Sequence, residues 1–303
     1  MSENVISIVG TKLRNLPKPV QECLKLCSCL GSRFEETFLS EIQGALSNVD
    51  DDSGGEHNIV GDIPLCLDIA SRAGLVEPLG CSNQHPGFKF AHDKIFESAL
   101  HLFSDERDRA RTHFEIGKLL WRRRFCGNDA DTIMKLSDRE LFLCTDQLNR
   151  GREFVVDKSL RIKLAELNWH AAQRAEAKSA FFPAVTLLEV GIEMLQPVCW
   201  KRHYDLALKL YSSLAEMASK VGQVDKQQSA VDEVLAHATS ADDAIRVHLV
   251  SLEHKTSQLK HRELIEASLS VLKLFGESIP LNPGILYKNR VFSSNEAISA
   301  SHD

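Results

Sequence analysis

The stretch Leu75-Val76-Glu77-Pro78-Leu79, followed by a Gly/Ser/Asn/His/Pro turn and then Phe88-Lys89-Phe90-Ala91-His92-Asp93, decides how the chain is read. Two short β-prone segments separated by Gly80, Ser82, Asn83, Pro86 and Gly87 predict a β-hairpin with a long loop. Beyond it Ile95, Phe96, Ala99, Leu100 and Phe103 fall at helical spacing, with Asp93 in the first turn, where a carboxylate suits the positive end of a helix. His92 and Asp93 therefore stand at a strand-to-helix junction, beside backbone N–H groups able to meet an anion.

Three helical segments precede the hairpin. The first carries Val20, Cys23, Leu24 and Cys27 after Pro19 and ends at Gly31; the second carries Phe38, Leu39, Ile42 and Leu46. The third runs from Ile63 to Ala73 and is closed by Gly74. Three short helices, a hairpin and a following helix is the order of a winged-helix domain, expected over residues 1–103.

After this domain, Ser104 reads as the N-cap of a helix with acidic residues in its first turn, which runs to Trp121-Arg122-Arg123-Arg124. Three arginines at a helix C-terminus oppose its dipole favourably. Residues 125–131 read as a loop, Leu136 to Leu148 as a further helix, and Asn149-Arg150-Gly151-Arg152 as its break, so residues 104–155 form connecting helices. From 156 to 278 six helices follow in pairs. Their faces are marked by Leu164, Asn168, Ala171 and Ala175; by Ala184, Leu188, Gly191 and Leu195; by Tyr204, Leu208, Tyr211, Ala215 and Ala218; by Ala230, Val234 and Ala238; by Ile245, Leu249, Leu252 and Thr256; and by Leu264, Ser268, Val271 and Phe275. Ala184, Ala230 and Ala267 open similar apolar runs 46 and 37 residues apart, within the range of helical repeats of tetratricopeptide (TPR) kind, whose period is about 34. Such units must stack to bury their faces, and the stack offers an extended groove for a protein or peptide. Residues 279–303 lose periodicity and are expected to be a frayed or disordered tail.

Taken together, the pattern predicts a mainly α chain, a winged-helix domain followed by a TPR-like α-solenoid. With 303 residues, 43% hydrophobic and 26% charged, the chain has room for two globular domains. A net charge of −6 and a pI of about 6.1 lack the basic footprint of a nucleic-acid or anionic-membrane protein. From Asp62 to Phe90, where a winged helix would meet DNA, Arg72 and Lys89 stand against Asp62, Asp68 and Glu77. No apolar run approaches the roughly 20 residues of a membrane span, and the N-terminus lacks the positive start of a signal peptide, so a cytoplasmic location is expected. The eight cysteines lie mostly on apolar helix faces, as reduced thiols packed as small hydrophobes, and no C-x-x-C spacing points to zinc.

Signals for catalysis are thin. Gly10-Thr11-Lys12 and Gly117-Lys118 each lack the spacing of a phosphate loop, Gly-x-x-x-x-Gly-Lys-[Ser/Thr]. Asp50-Asp51-Asp52 lacks the spaced ligands of a calcium loop. His101, His170 and His248 read as surface or satisfied helix residues. No catalytic residue, metal site or resident cofactor is expected.

The order of elements, with Phe90-Ala91-His92-Asp93 opening the helix after the wing, resembles the signal-transduction ATPases with numerous domains, the STAND class. The likeness is strongest to the form found in multidomain sensor kinases, and it is also carried by Lys12-Leu13-Arg14-Asn15-Leu16-Pro17, Cys29-Leu30-Gly31-Ser32-Arg33-Phe34, and the run from His113 to Leu120. Ala165-Glu166-Leu167-Asn168, Leu274-Phe275-Gly276 and Ile279-Pro280 extend it along most of the chain. In related ATPases the histidine of a similar His-Asp pair touches the β-phosphate of the bound nucleotide and helps to hold an inactive state. The resemblance thus implies that His92 and Asp93 meet ATP or ADP only when an ATPase domain, not present in this sequence, docks on the wing. It implies a regulatory coupling module with a protein or peptide on the repeats. Two other readings stand beside it: a free-standing repeat scaffold, and a winged-helix regulator whose output is DNA binding.

Overall fold

The computed structural model describes residues 9–47, 62–79, 87–124, 133, 135–197, 199–257, 261–274 and 276–280. Among these residues the chain is mainly helical, with one three-stranded sheet, and it divides into two compact units, Met1–Ala171 and Ala172–Asp303. The expected tail, the acidic segment at 50–56, the hairpin tip at 80–86 and the loop at 125–131 lie outside the described residues.

In the first unit, helical turns over 9–14 lead to α1 (Lys18–Leu30), which places a proline in its first turn, where a missing N–H costs nothing. Val20, Cys23, Leu24 and Cys27 form its buried stripe, and Gly31 turns the chain out at φ 108°, a conformation that needs glycine. Strand β1 (Arg33–Glu35) follows and was not legible in the sequence; only Phe34 in it is buried. Then come α2 (Glu36–Ser47) and α3 (Ile63–Arg72). Helix α3 ends in a Schellman turn, with Leu75 N–H on Ala70 C=O (2.9 Å), Gly74 N–H on Ser71 C=O (2.8 Å) and Gly74 at φ 69°.

Strands β2 (Val76–Leu79) and β3 (Gly87–Phe90) form the expected hairpin, in register Val76↔Phe90, Glu77↔Lys89, Pro78↔Phe88 and Leu79↔Gly87. Strand β1 adds antiparallel to the other side of β3, giving the order β1-β3-β2. Phe34 packs on Phe88 (6.3 Å between ring centres) and edge-on to Phe90 (5.5 Å), and Phe90 in turn meets Phe96. Pro78 sits on an edge strand, where its missing donor is tolerated. This aromatic ladder fixes the sheet against α4 (Asp93–Leu100), whose Ile95 and Ala99 are buried.

Helix α5 (Glu106–Arg124) is capped by Asp105, whose carboxylate accepts the Asp108 N–H at 2.7 Å. Ser104, expected as the cap, instead donates its hydroxyl to Asp108 (2.9 Å), because the helix begins one residue later than the pattern implied. Helix α6 (Asp138–Arg150) opens with a full capping box between Ser137 and Glu140. It lies against α5 at glycine contacts: a Cβ on Gly117 would stand 2.6 Å from Leu148 Cδ2, and one on Gly151 only 2.5 Å from the Phe114 backbone nitrogen.

Helix α7 (Lys158–Ala177) contains the division between the units. Within the first, its fully buried Asn168 exchanges two amide hydrogen bonds with Asn149 (2.8 and 2.9 Å), which ties α7 to the end of α6. In the second unit α8 (Phe181–Leu195), a short α9 (Cys199–Arg202), α10 (Tyr204–Lys220), α11 (Val224–His237), α12 (Ala241–Ser257) and α13 (His261–Leu274) follow. Each packs on near neighbours in sequence: α8 on α10, α10 on α11 and α12, α11 on α12, and α12 on α13. The small residues Ala184, Gly191, Ala207, Ala215, Ala218 and Ala230 lie buried in these contacts. The face expected for α12 is different in the structure. Ala244, Val247 and Val250 are buried, whereas Ile245 and Leu249 are exposed, the latter by 52%. Helix α9 was not legible in the sequence; its Trp200 stacks between Tyr211 (5.3 Å) and His237 (4.8 Å) and donates its indole N–H to Glu233 (3.2 Å).

Candidate functional site

The junction after β3 is built by backbone pairing on both sides of the sheet. Phe90 N–H donates to Ser32 C=O and Ala91 N–H to Leu75 C=O, each at 3.0 Å, so the chain leaves the sheet in a fixed direction. His92 is then extended (φ −155°, ψ 148°) and serves as the N-cap of α4. Its Nδ1 accepts the Lys94 N–H at 3.0 Å, which satisfies one of the helix's orphan donors.

An Nδ1 that accepts a hydrogen bond carries no proton, so in the neutral ring the proton is on Nε2. Because His92 is exposed, this Nε2–H is a donor facing water at the positive end of a helix. Asp93 is exposed in the first turn and has no hydrogen bond or ion pair among the described residues. Lys94 turns the other way along the helix and pairs with Glu97 at 2.6 Å. The Lys94 N–H goes to the His92 ring and the Ile95 N–H to the His92 carbonyl (2.9 Å), so the junction can offer an anion one imidazole N–H and the Asp93 amide, with the Asp93 carboxylate limiting how much negative charge it tolerates.

The other glycine-lysine sequences have structural roles. Gly10 lies in helical backbone, and Lys12 Nζ caps the end of α3 by donating to Ala73 C=O at 2.6 Å. Gly117 is a packing contact, and Lys118 pairs with Glu115 (2.8 Å) and lies over the Phe114 ring. His101 follows the end of α4 on the surface, and His170 packs edge-on to Trp169. The six described cysteines are free, buried thiols, and Cys29 and Cys144 are both pushed up to about 12 by burial. Among the described residues no three His, Cys, Asp or Glu side chains come together as a metal site, and no helix is long and apolar enough to cross a membrane.

A buried polar relay between α1, α5 and α6 was not legible in the sequence. His113 on α5, only 3% exposed, bonds through Nδ1 to Gln147 Oε1 on α6 (2.8 Å), while Gln147 Nε2 donates to the Cys29 carbonyl at the end of α1 (2.7 Å). Since the glutamine amide gives its N–H to Cys29, its oxygen must receive a proton from His113, which leaves His113 Nε2 as a buried lone pair with no partner among the described residues. Burial lowers the His113 pKa, partly offset by the bond to Gln147. The residues are 34 apart in sequence, so only the packing of α5 on α6 creates the pair.

With known proteins the comparison gives one distant likeness. Over 328 aligned positions the chain is 20% identical to "Hybrid signal transduction histidine kinase G" of Dictyostelium discoideum, covering 93% of this chain and 9% of that protein. The chain thus spans about a tenth of the relative's length. No family model matches, and no solved structure matches.

Proposed function

We propose that the chain is a non-catalytic signal-transduction module, in which a winged-helix domain over residues 1–103 couples a nucleotide-dependent switch to a TPR-like array over 156–278 through connecting helices at 104–155. The observation that carries this reading is the topology around the site. Helix, strand, two helices and a hairpin, in the strand order β1-β3-β2, lead directly into a helix capped by His92 with its Nε2–H turned outward. A distant likeness that runs along 93% of the chain to part of a signalling kinase supports a signalling role for the whole segment.

In this reading His92 holds α4 with one ring nitrogen and offers the other to a phosphate oxygen of ADP or ATP carried by an ATPase domain docked on the wing. Asp93, beside it, disfavours a more highly charged anion. The helix pairs of the second unit, each packed on near neighbours, support a repeat groove that receives a protein or peptide. The same packing would serve a free-standing scaffold with no nucleotide, which is the second reading. The shortage of cations from Asp62 to Phe90 speaks against DNA as the output.

Reading the gene upstream of Met1 separates the two. An in-frame phosphate-loop sequence is the result expected for the coupling module, whereas a stop codon favours the scaffold.

A further inference from the structure

The first unit contains a cleft of about 940 Å³ between the β1–α2 segment and the facing sides of α5 and α6, a volume suited to a small-molecule ligand. Among the described residues its apolar wall is made by Phe34, Phe38, Leu120, Phe142 and Leu143. Its lining includes neither His92 nor any residue of 156–278.

The charges at its rim are mostly spoken for. Arg139 reaches across the mouth to Glu35 at 3.1 Å, Glu140 is held in the capping box of α6, and Glu41 is engaged as well. Arg33 is the exception: its exposed guanidinium lines the cleft with no hydrogen bond or ion pair among the described residues. The start of α6 also lines the cleft, through Ser137, Arg139 and Glu140, but its capping box and the Asp138 and Glu140 carboxylates already answer the positive end of that helix, which leaves the Arg33 guanidinium as the cation for a ligand. An apolar trough with one unspent planar cation matches a ligand with an apolar body and a single carboxylate, which a guanidinium can hold with two parallel hydrogen bonds.

We propose that this cleft is a binding site for a small amphiphile of the fatty-acid class, its chain along Phe34, Phe38 and Phe142 and its carboxylate on Arg33. The site gives the first unit a chemical input separate from nucleotide and from any partner on the helical array.

Titration calorimetry of the full chain with dodecanoate, kept below its micellar concentration, tests the proposal. We expect saturable binding of one equivalent, at least tenfold weaker for dodecylamine and dodecanol. Arg33→Gln, at an exposed side chain without a partner among the described residues, should weaken dodecanoate about tenfold while leaving the melting temperature unchanged. Thr37→Trp, placed on the exposed rim of α2 to fill the trough, should abolish binding of all three compounds. No binding of dodecanoate overturns the proposal, as does equal affinity for the acid, the amine and the alcohol. Unchanged affinity in Arg33→Gln, or in a folded Thr37→Trp, overturns it as well.

Discussion

At the scale of single residues, two histidines show opposite uses of the same ring. His92 spends Nδ1 on a helix cap and keeps Nε2–H in water, whereas His113 spends Nδ1 on Gln147 and buries its other nitrogen as a bare lone pair. The His113 pKa is held below its ordinary value, so the unfolded chain binds more protons than the folded one as pH falls through the ordinary histidine range near 6.5. Stability contributed by neutral His113 is therefore complete above that range and is lost below it. We expect the melting temperature to fall between pH 7.5 and pH 5.5, and His113→Leu to flatten part of that slope. The remaining slope belongs in part to His248, which burial also lowers. The leucine variant should also be less stable at pH 7.5 by about 1–3 kcal/mol, because Gln147 Oε1 loses its donor while staying buried. An unchanged pH slope in His113→Leu would show that the buried ring does not govern the acid response.

A carboxylate in the second unit behaves in the opposite sense. Asp243 accepts the Tyr204 hydroxyl at 2.7 Å and the Thr239 and Ser240 groups at the start of α12, and the Tyr204 bond is the largest cause that lowers its pKa to about 2. A depressed carboxylate pKa contributes stability above the unfolded value near 4, and that stability is lost as pH falls toward 2. Tyr204→Phe should shift the acid unfolding midpoint of the chain upward, read by circular dichroism between pH 5 and pH 2. No shift would assign the low pKa to the helix start alone.

Among elements, the α5–α6 pair depends on close approach at its glycines. Gly151 looks in the sequence like a helix breaker, yet its φ of −99° is open to any residue, and what demands glycine is the Phe114 backbone 2.5 Å from where a Cβ would stand. At Gly117 the first atoms met belong to the Leu148 side chain, which can rotate away more readily than backbone. Both alanine variants should destabilise, by about 1–3 kcal/mol from overpacking, with Gly151→Ala the worse of the two in urea unfolding. The reverse order would mean that Leu148 is more tightly held than Phe114.

The hairpin, the main helices and the His92–Asp93 junction were legible because turn residues and apolar spacing are local signals. Strand β1 was not, since three residues with one buried side chain carry no readable alternation. The buried face of α12 was not legible, because Ile245 and Leu249 are more apolar than Ala244 and Val247, whereas tight helix packing favours the smaller side chains. The His113–Gln147–Cys29 relay joins three helices and has no local signature at all. His92 was placed at the right junction, but its role as the cap of α4 depends on backbone angles that the sequence does not display.

For the whole molecule, the coupling reading assigns partner binding to the helical array and the switch to the hairpin junction. A chain ending at Arg152 should lose a protein partner recovered by the full chain, and retention of that partner by the shorter form would move the binding surface into the first unit. The switch is tested most directly by separating the two ring nitrogens of His92, in a fusion that places a nucleotide-binding domain ahead of this chain. His92→Ser keeps an N-cap for α4 but removes the outward donor, while His92→Ala removes both. The measurement is the rate at which bound ADP is released, taken beside the melting temperature of each variant. The coupling account predicts faster ADP release in both variants, with the melting temperature near wild type for serine and lower for alanine; ADP release unchanged in His92→Ser would contradict it and leave His92 as a helix cap.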